Sequence, residues 1–192
     1  MLFRSVKSTS KVLLEHLLNS GVKVDMIVSL DQSITQKYHI SGFSEIEGMA
    51  KQNQIEFFGI KTYSMKDEVT KSFFKDNNFN LGICYGWQRL IPEDVLDQFK
   101  TGVFGFHGSK YKLPKGKGRS PMNWSIIEGA DIVHNHFFQY DAGVDSGKLF
   151  SVTDFNLYPH DNILSLQYKS LFSAKQEVDR KSTRLNSSHT SI

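Results

Sequence analysis

Apolar and polar residues alternate along this chain with two periods, which are typical of strands and of helices. The opening segment LFRSV predicts a short strand. The segment SKVLLEHLLNSG carries its leucines and Val12 on one helical face and ends at a glycine. A second apolar strand, VDMIVSL, follows. A strand, a helix and a strand in this order predict a βαβ unit.

The same alternation continues to the middle of the chain. It predicts helices over FSEIEGMAKQNQ, MKDEVTKSFFKDNN and IPEDVLDQFK, and strands over IEFFGI, NLGICYGW and TGVFGFHG. Ser44 and Glu47 have the capping-box spacing, which predicts the start of the first of these helices. Because the strands alternate with helices, the predicted fold class is α/β, with a Rossmann-like, mostly parallel sheet and helices on both faces.

Beyond the middle, SPMNWSIIEG predicts a helix, and VHNHFFQYD and KLFSVTDFN predict two more strands. Trp124 in this helix is expected to lie in the core. The single cysteine, Cys84, lies in an apolar strand, where a buried thiol is expected rather than a nucleophile. No internal repeat or linker divides the chain.

Length and composition favour one globular domain. The chain has 192 residues, of which 39% are hydrophobic, enough to bury one sizeable core. No run approaches the roughly 20 apolar residues of a membrane span, and no signal-peptide pattern opens the chain. We therefore expect a cytoplasmic protein that makes no membrane contact.

The C-terminal segment differs from the rest of the chain. Residues 179–192 are rich in Ser and Thr, lose the apolar period and resemble translated sequencing-adapter DNA. We therefore expect a folded domain over 1–178, truncated near Val178, and a non-native segment over 179–192. That segment holds three Lys or Arg and one Asp, so the remainder has 20 basic and 19 acidic side chains. A basic surface for coating nucleic acid is not supported.

Three polar, glycine-rich segments follow predicted strands: GWQRLIP, FHGSKYKLPKGKGRSP and DAGVDSG. Ligands of open α/β sheets bind where the carboxyl ends of strands meet such loops. We therefore expect the three segments to converge on one cleft.

These segments resemble the signature of the folate-dependent formyltransferases. GFHGSKYKLPKGKGRSPMNWSIIEG resembles the family's loop between a His-bearing strand and a helix with a Trp, and YDAGVDSGKLF resembles its Asp-x-Gly-x-Asp-x-Gly strand end. DNNFNLGICYGWQRLIPEDVL resembles the strand, the pterin loop and the Ile-Pro helix start. The resemblance implies the formyltransferase fold, a catalytic domain over 1–178, 10-formyltetrahydrofolate as co-substrate and transfer of its formyl group to a primary amine.

Formyl transfer to an amine passes through a tetrahedral intermediate, so a site has to stabilise an oxyanion and remove a proton from the amine. The resemblance implies that His107 stabilises the oxyanion as an imidazolium, and that Asp145 orients His107 and relays the proton. The family's catalytic Asn falls on Gly105, which has no side-chain donor. The missing donor is expected from Asn123, from a backbone N–H, or from no group at all.

The resemblance also implies which residues bind ligands. The pterin ring is expected to meet Gln88, Arg89, Leu90 and Ile91, mainly through backbone groups, with Tyr140 and Asp141 on the opposite loop. Substrate is expected at Ser109, Arg119 and Pro121, in the loop that presents His107. No metal site is predicted, because His134 and His136 have no cysteine or carboxylate at metal-ligand spacing.

The acceptor amine is harder to predict. The segment SLDQSITQKYHISGFSEIEG lacks the Arg- and Lys-rich character expected of a methionyl-tRNA enzyme, and SVKSTSK lacks the Gly and Asn expected for glycinamide ribonucleotide. We expect a nucleotide-linked amino sugar or another small amine, with methionyl-tRNA as the alternative. A folate-binding module without catalysis is the alternative of another class. A nucleotide-binding protein is disfavoured, because no glycine-rich phosphate motif ends a strand.

Overall fold

The computed structural model describes residues 1–5, 8–34 and 44–188. Strands lie at β1 (Leu2–Ser5), β2 (Met26–Leu30), β3 (Glu56–Ile60), β4 (Phe79–Tyr85), β5 (Phe99–Ser109), β6 (Ile132–Gln139) and β7 (Leu149–Asn156). Helices lie at α1 (Ser8–Asn19), α2 (Glu47–Gln52), α3 (Glu68–Asp76), α4 (Glu93–Leu96), α5 (Pro121–Ile127) and α6 (Ile163–Ser188). Part of SVKSTSK and much of the segment that argues against tRNA fall at 6–7 and 35–43, outside the described residues.

The strands form one sheet in the order β3-β2-β1-β4-β5-β6-β7. β1 to β5 pair in parallel, whereas β6 pairs antiparallel with β5 and with β7. The prediction of a Rossmann-like, mostly parallel sheet is confirmed. The chain order reverses between the central strands β1 and β4, and ligands of such folds bind near this switch point, outside the carboxyl ends of the strands.

Helices cover both faces of the sheet, as the alternating pattern predicts. On one face, Phe74 of α3 and Val95 of α4 are buried against Phe99 and Val103 of β5. On the other face, apolar residues of α1 and α6, among them Leu13 and Leu171, are buried against Ile27, Ile83 and Phe137. Cys84 is buried, as predicted.

Two details of the helices differ from the sequence prediction. Helix α2 begins at Glu47 after Ile46, which makes no side-chain cap. The capping box of Ser44 and Glu47 was therefore wrong, and Glu45 Oε1 instead accepts a hydrogen bond of 2.8 Å from the Gly48 amide. Trp124 is 55% exposed, so its expected place in the core was also wrong. Helix α5 buries Ser125, which places the neighbouring tryptophan on the solvent side.

Helix α6 is held on the sheet by a buried polar cluster. Ser170 Oγ donates to Asn135 Oδ1 at 3.0 Å, and Asn135 Nδ2 donates to Ser173 Oγ at 3.1 Å. Burial in the same region raises the pKa of the Tyr85 hydroxyl to about 12. The helix is continuous through position 178. Within the described ranges, no helix combines the length and apolar character that a membrane span requires.

Candidate active site

A cleft of about 330 Å³ opens at the carboxyl ends of β4 and β5. Residues 86–90, 106–108, 118–123, 140 and 143–145 line it, together with Ile163 and Gln167 of α6. The three glycine-rich segments that follow predicted strands therefore meet at one cavity. Its volume lies within the range of small-molecule sites.

His107 lies near the end of β5 and is 8% exposed. Its Nε2 is 2.8 Å from the carbonyl oxygen of Gly116, and its Nδ1 is 3.5 Å from Asp145 Oδ2. A carbonyl oxygen only accepts hydrogen bonds, so Nε2 donates its proton there. The second ring nitrogen, Nδ1, therefore faces the carboxylate of Asp145.

Asp145 lies in the loop between β6 and β7 and has a backbone φ of +45°. This left-handed conformation is uncommon for a residue other than glycine and is often found at functional sites. Its Oδ2 accepts a hydrogen bond of 2.8 Å from the Gly118 amide. The loop that follows β5 therefore holds both members of the pair, His107 through Gly116 and Asp145 through Gly118.

The conformation of this loop depends on Gly116 and Ser109. Gly116 has a φ of +73°, and a Cβ atom on it would overlap the hydroxyl oxygen of Ser109. Ser109 is buried, and its Oγ accepts a hydrogen bond of 3.1 Å from the Tyr111 amide. Ser109 therefore shapes the loop from beneath, while Arg119 and Pro121 line the cleft.

The segment after β4 forms the opposite wall. Gln88, Arg89 and Leu90 line the cleft, and Leu90 is 52% exposed. The Arg89 guanidinium lies 5.0 Å from the centre of the Tyr63 ring. Ile91 is not among the cleft-lining residues but is buried in the core beneath this wall. It therefore supports the wall from behind.

Two further predicted residues belong to the other side of the cleft. Tyr140 lines it. Asp141 is not among the cleft-lining residues. Its carboxylate instead accepts hydrogen bonds from the Gly143 amide at 3.0 Å and from Ser146 Oγ at 2.7 Å. Asp141 therefore shapes the loop that carries Asp145. Asn123, on the first turns of α5, lines the cleft.

The two strand histidines serve different partners. His134 Nδ1 is 2.6 Å from Asp154 Oδ1, whereas His136 contacts main-chain groups. Over residues 1–5, 8–34 and 44–188, no three His, Cys, Asp or Glu side chains form a group that could hold a metal ion.

Comparison with known proteins decides the family. The family model described as Formyl transferase matches residues 7–179. The chain belongs to the formyl transferase family. Methionyl-tRNA formyltransferase of Azobacteroides pseudotrichonymphae is 31% identical over 139 residues, which are 72% of this chain and 41% of that protein. The same enzyme of Agathobacter rectalis is 20% identical over 84% of this chain and 51% of that protein. This formyl transferase chain thus spans about half or less of the length of these relatives.

Solved structures agree on the fold. Phosphoribosylglycinamide formyltransferase from Streptococcus pneumoniae superposes with a TM-score of 0.71 at 11% identity, over 96% of this chain and 97% of that one. A formyltetrahydrofolate deformylase from Pseudomonas syringae pv. tomato gives a TM-score of 0.69 at 14% identity, over 91% and 56%. At these identities the likeness shows that this formyl transferase chain has their fold.

Gly105 is the position at which the sequence resemblance leads one to expect the family's catalytic Asn. A Cβ atom at this position would lie 2.6 Å from the Cys84 carbonyl oxygen and 2.5 Å from Tyr140 Cε2. The Tyr140 ring therefore fills the space in front of Gly105, on the same face of β5 as His107. This relationship could not be predicted from local sequence patterns, because it joins β5 to the segment that follows β6.

Proposed function

We propose that this chain transfers the formyl group of 10-formyltetrahydrofolate to a primary amine. The observation that carries the proposal is the pair of His107 and Asp145, whose Nδ1 and Oδ2 atoms lie 3.5 Å apart at the wall of the cleft. An imidazole N–H donor beside a carboxylate supplies both functions that formyl transfer requires.

The proposed reaction has two steps. The amine nitrogen attacks the formyl carbon, and the carbonyl electron pair moves to oxygen, where Nδ1–H of His107 stabilises the oxyanion. Asp145 accepts the proton that the amine loses. When the intermediate collapses, the bond between the formyl carbon and the folate nitrogen breaks, and Asp145 returns the proton to that nitrogen. The products are the formylated amine and tetrahydrofolate.

Apolar side chains on two walls of the cleft support a folate co-substrate. Leu90 exposes an apolar side chain on one wall and Val144 does so on the other, where Val144 is 47% exposed. Apolar walls with a few polar groups are typical of sites that hold a ring. The pterin ring is proposed to lie between these walls, against Gln88, Arg89 and the main chain of their loop.

Two side chains are candidates for a second oxyanion donor. Asn123 was predicted from the sequence and lines the cleft. The Tyr140 hydroxyl oxygen lies 3.1 Å from the position that a Cβ on Gly105 would take, where the side chain of an Asn would begin. A tyrosine hydroxyl donates as an amide does, so a glycine at position 105 is compatible with catalysis.

The acceptor is proposed to be a nucleotide-linked amino sugar or another small amine. Lys112, Lys115 and Lys117 of the loop after β5 are exposed and available to attract a phosphate-bearing acceptor. Lys110 is engaged by Glu128, with 2.7 Å between Nζ and Oε2. The second candidate acceptor is methionyl-tRNA, which the names of the similar curated proteins favour. The co-substrate and the small-amine acceptor are consistent with a cytoplasmic enzyme.

The experiment measures tetrahydrofolate release from 10-formyltetrahydrofolate with a panel of amines that includes methionyl-tRNA. His107→Ala and Asp145→Asn are each expected to lower release by about 10²- to 10⁴-fold. The control is His160→Ala, which alters an exposed histidine that does not line the cleft. Undiminished release in both variants would contradict the proposal. Folate binding without release for any amine would support the binding module instead.

A further inference from the structure

Three histidines lie in a row on one face of β5 and β6. His107 is directly opposite His136 in the antiparallel register, and His134 is two residues from His136 on the same strand. The ring centres of His107 and His136 are 6.2 Å apart, and those of His136 and His134 are 6.4 Å apart. The middle ring, that of His136, is completely buried.

Both nitrogens of the His136 ring are bonded to main-chain groups. The Leu113 amide donates to Nε2 at 3.2 Å, so Nε2 carries no proton. The proton is therefore on Nδ1, which donates to the carbonyl oxygen of His107 at 2.8 Å. The two partners together select one neutral tautomer of His136.

The surroundings of His136 favour the same neutral form. Burial lowers the pKa of its imidazole, and the nearby His107 and His134 rings act in the same direction. The bond to the His107 carbonyl and the carboxylate of Asp154 act in the opposite direction. A neutral ring can donate at one nitrogen and accept at the other, which a protonated ring cannot do.

These two bonds connect His136 to both supports of His107. The bond from Nδ1 fixes the main chain of His107 on β5. The bond to Nε2 fixes Leu113, which lies three residues before Gly116. The carbonyl of Gly116 accepts a hydrogen bond from the His107 ring. The same loop continues to Gly118, whose amide binds Asp145. One buried ring thus joins the catalytic strand to the loop that orients both proposed catalytic side chains.

We propose that His136 is a positioning residue that fixes the loop of residues 110–118 against β5 and thereby orients the His107 ring. The proposal rests on the proposed function in taking His107 as the residue that acts on substrate. The effect of His136 on the geometry of His107 and Leu113 can be tested whether or not the protein transfers a formyl group.

Two substitutions separate the two bonds. In His136→Asn the amide nitrogen lies close to the place of Nδ1, so the bond to the His107 carbonyl is retained and the acceptor for Leu113 is lost. In His136→Gln the amide oxygen reaches towards the place of Nε2, so the acceptor for Leu113 is retained. The control is His134→Asn, which alters a histidine on the same strand that is paired with Asp154.

The measurements are hydrogen exchange of the Leu113 amide, the NMR signals of the His107 ring nitrogens, and the kcat and folate Kd of each variant. We expect His136→Asn to speed exchange at Leu113 by about fivefold or more and to shift the His107 ring signals. We expect kcat to fall by about 10- to 100-fold with folate Kd changed by less than about threefold. His136→Gln and His134→Asn are expected to keep the protection of Leu113.

The outcomes distinguish the two proposals. Unchanged Leu113 exchange and unchanged His107 signals in a folded His136→Asn variant would overturn the positioning role. If His136→Asn does not fold, loss of Leu113 protection in His136→Gln would overturn it equally, since that variant retains the acceptor. If wild-type protein transfers no formyl group but the two NMR readouts change as expected, the positioning role stands and the proposed function fails.

Discussion

The Tyr140 ring occupies the space that a side chain at Gly105 would need, with Cε2 2.5 Å from the position of a Cβ atom. Gly105 lies in β5, and Tyr140 directly follows the neighbouring strand β6. The Tyr140 amide donates a hydrogen bond of 2.7 Å to the carbonyl oxygen of Val103 in β5. The identities at positions 105 and 140 are therefore coupled. A larger residue at 105 requires either a smaller one at 140 or a shift of both strands.

This coupling predicts that Gly105→Ala destabilises the fold. The added methyl group meets the Tyr140 ring and the Cys84 carbonyl oxygen, so we expect a loss of about 1–3 kcal/mol in the free energy of unfolding. Urea denaturation measures the change. Gly108→Ala, on the same strand, is the control, because its Cβ would meet the flexible Met122 side chain at 3.2 Å and cost less. Equal losses in the two variants would show that Tyr140 and Cys84 do not restrict position 105.

Removal of the Tyr140 hydroxyl tests its proposed role as a donor. Tyr140→Phe keeps the ring in front of Gly105, so the fold is expected to be retained. If the hydroxyl stabilises the oxyanion, kcat falls by about 10²- to 10³-fold while folate affinity changes little. Steady-state kinetics with a folate-binding assay measures both quantities.

Asn123→Ala is the matched comparison for Tyr140→Phe, because Asn123 is the donor that the sequence predicted. A large fall in kcat in only one of the two variants identifies the donor. Weaker folate binding with unchanged kcat in Tyr140→Phe would instead support the pterin-binding role that the resemblance implies for Tyr140.

The loop after β5 should tolerate no side chain at Gly116. Gly116→Ala combines a left-handed backbone with overlap against Ser109 Oγ, so the carbonyl that binds His107 is expected to move. We expect kcat to fall by about 10²-fold, since small displacements of a catalytic group are costly. Gly21→Ala is the control, because Gly21 has a similar φ of +75° and open space around it. That variant is expected to lose about 1 kcal/mol of stability and no activity.

His136 makes the stability of the fold depend on pH. Its pKa in the folded protein is lowered by burial from the ordinary value of 6.5, so below that value the unfolded chain binds a proton that the folded chain does not. Stability therefore falls as pH decreases, by at most about 1.4 kcal/mol per pH unit for this one proton. His107, His134 and Asp154 are the titratable groups that act on it.

Urea denaturation between pH 7.5 and pH 4.5 should show this dependence, and His136→Gln should show a shallower one. The comparison isolates His136 because all other titratable side chains are the same in the two proteins. Equal slopes for the two proteins would contradict a buried, neutral His136.

Much of the fold follows from local patterns. Each strand of the parallel part is an apolar run bounded by turn residues, and β4 and β5 are followed by the polar loops that form the cleft. The positions of His107 near the end of β5 and of Asp145 in the loop after β6 could therefore be predicted. The start of α2 could not, because Glu45 replaces the expected cap by a bond that depends on the loop before the helix.

The remaining errors and omissions have tertiary causes. Trp124 is a large aromatic residue of the kind often found in a core. Which face of the short helix α5 meets the sheet is determined by tertiary packing, and Trp124 lies on the other face. His136 carried no signal of its role, because its partners at His107 and Leu113 are 23 or more residues away along the chain. The coupling of Gly105 and Tyr140 likewise exists only where two antiparallel strands meet.

Two adjacent residues of strand β6 contact elements on opposite faces of the sheet. Asn135 faces α6, and His136 faces the loop that orients His107. Successive side chains of a strand point to opposite faces, so a shift of one residue would exchange the two. The asparagine would then meet the loop and the histidine would meet the helix. Insertion or deletion of a single residue in β6 would therefore break the contacts of both residues at once.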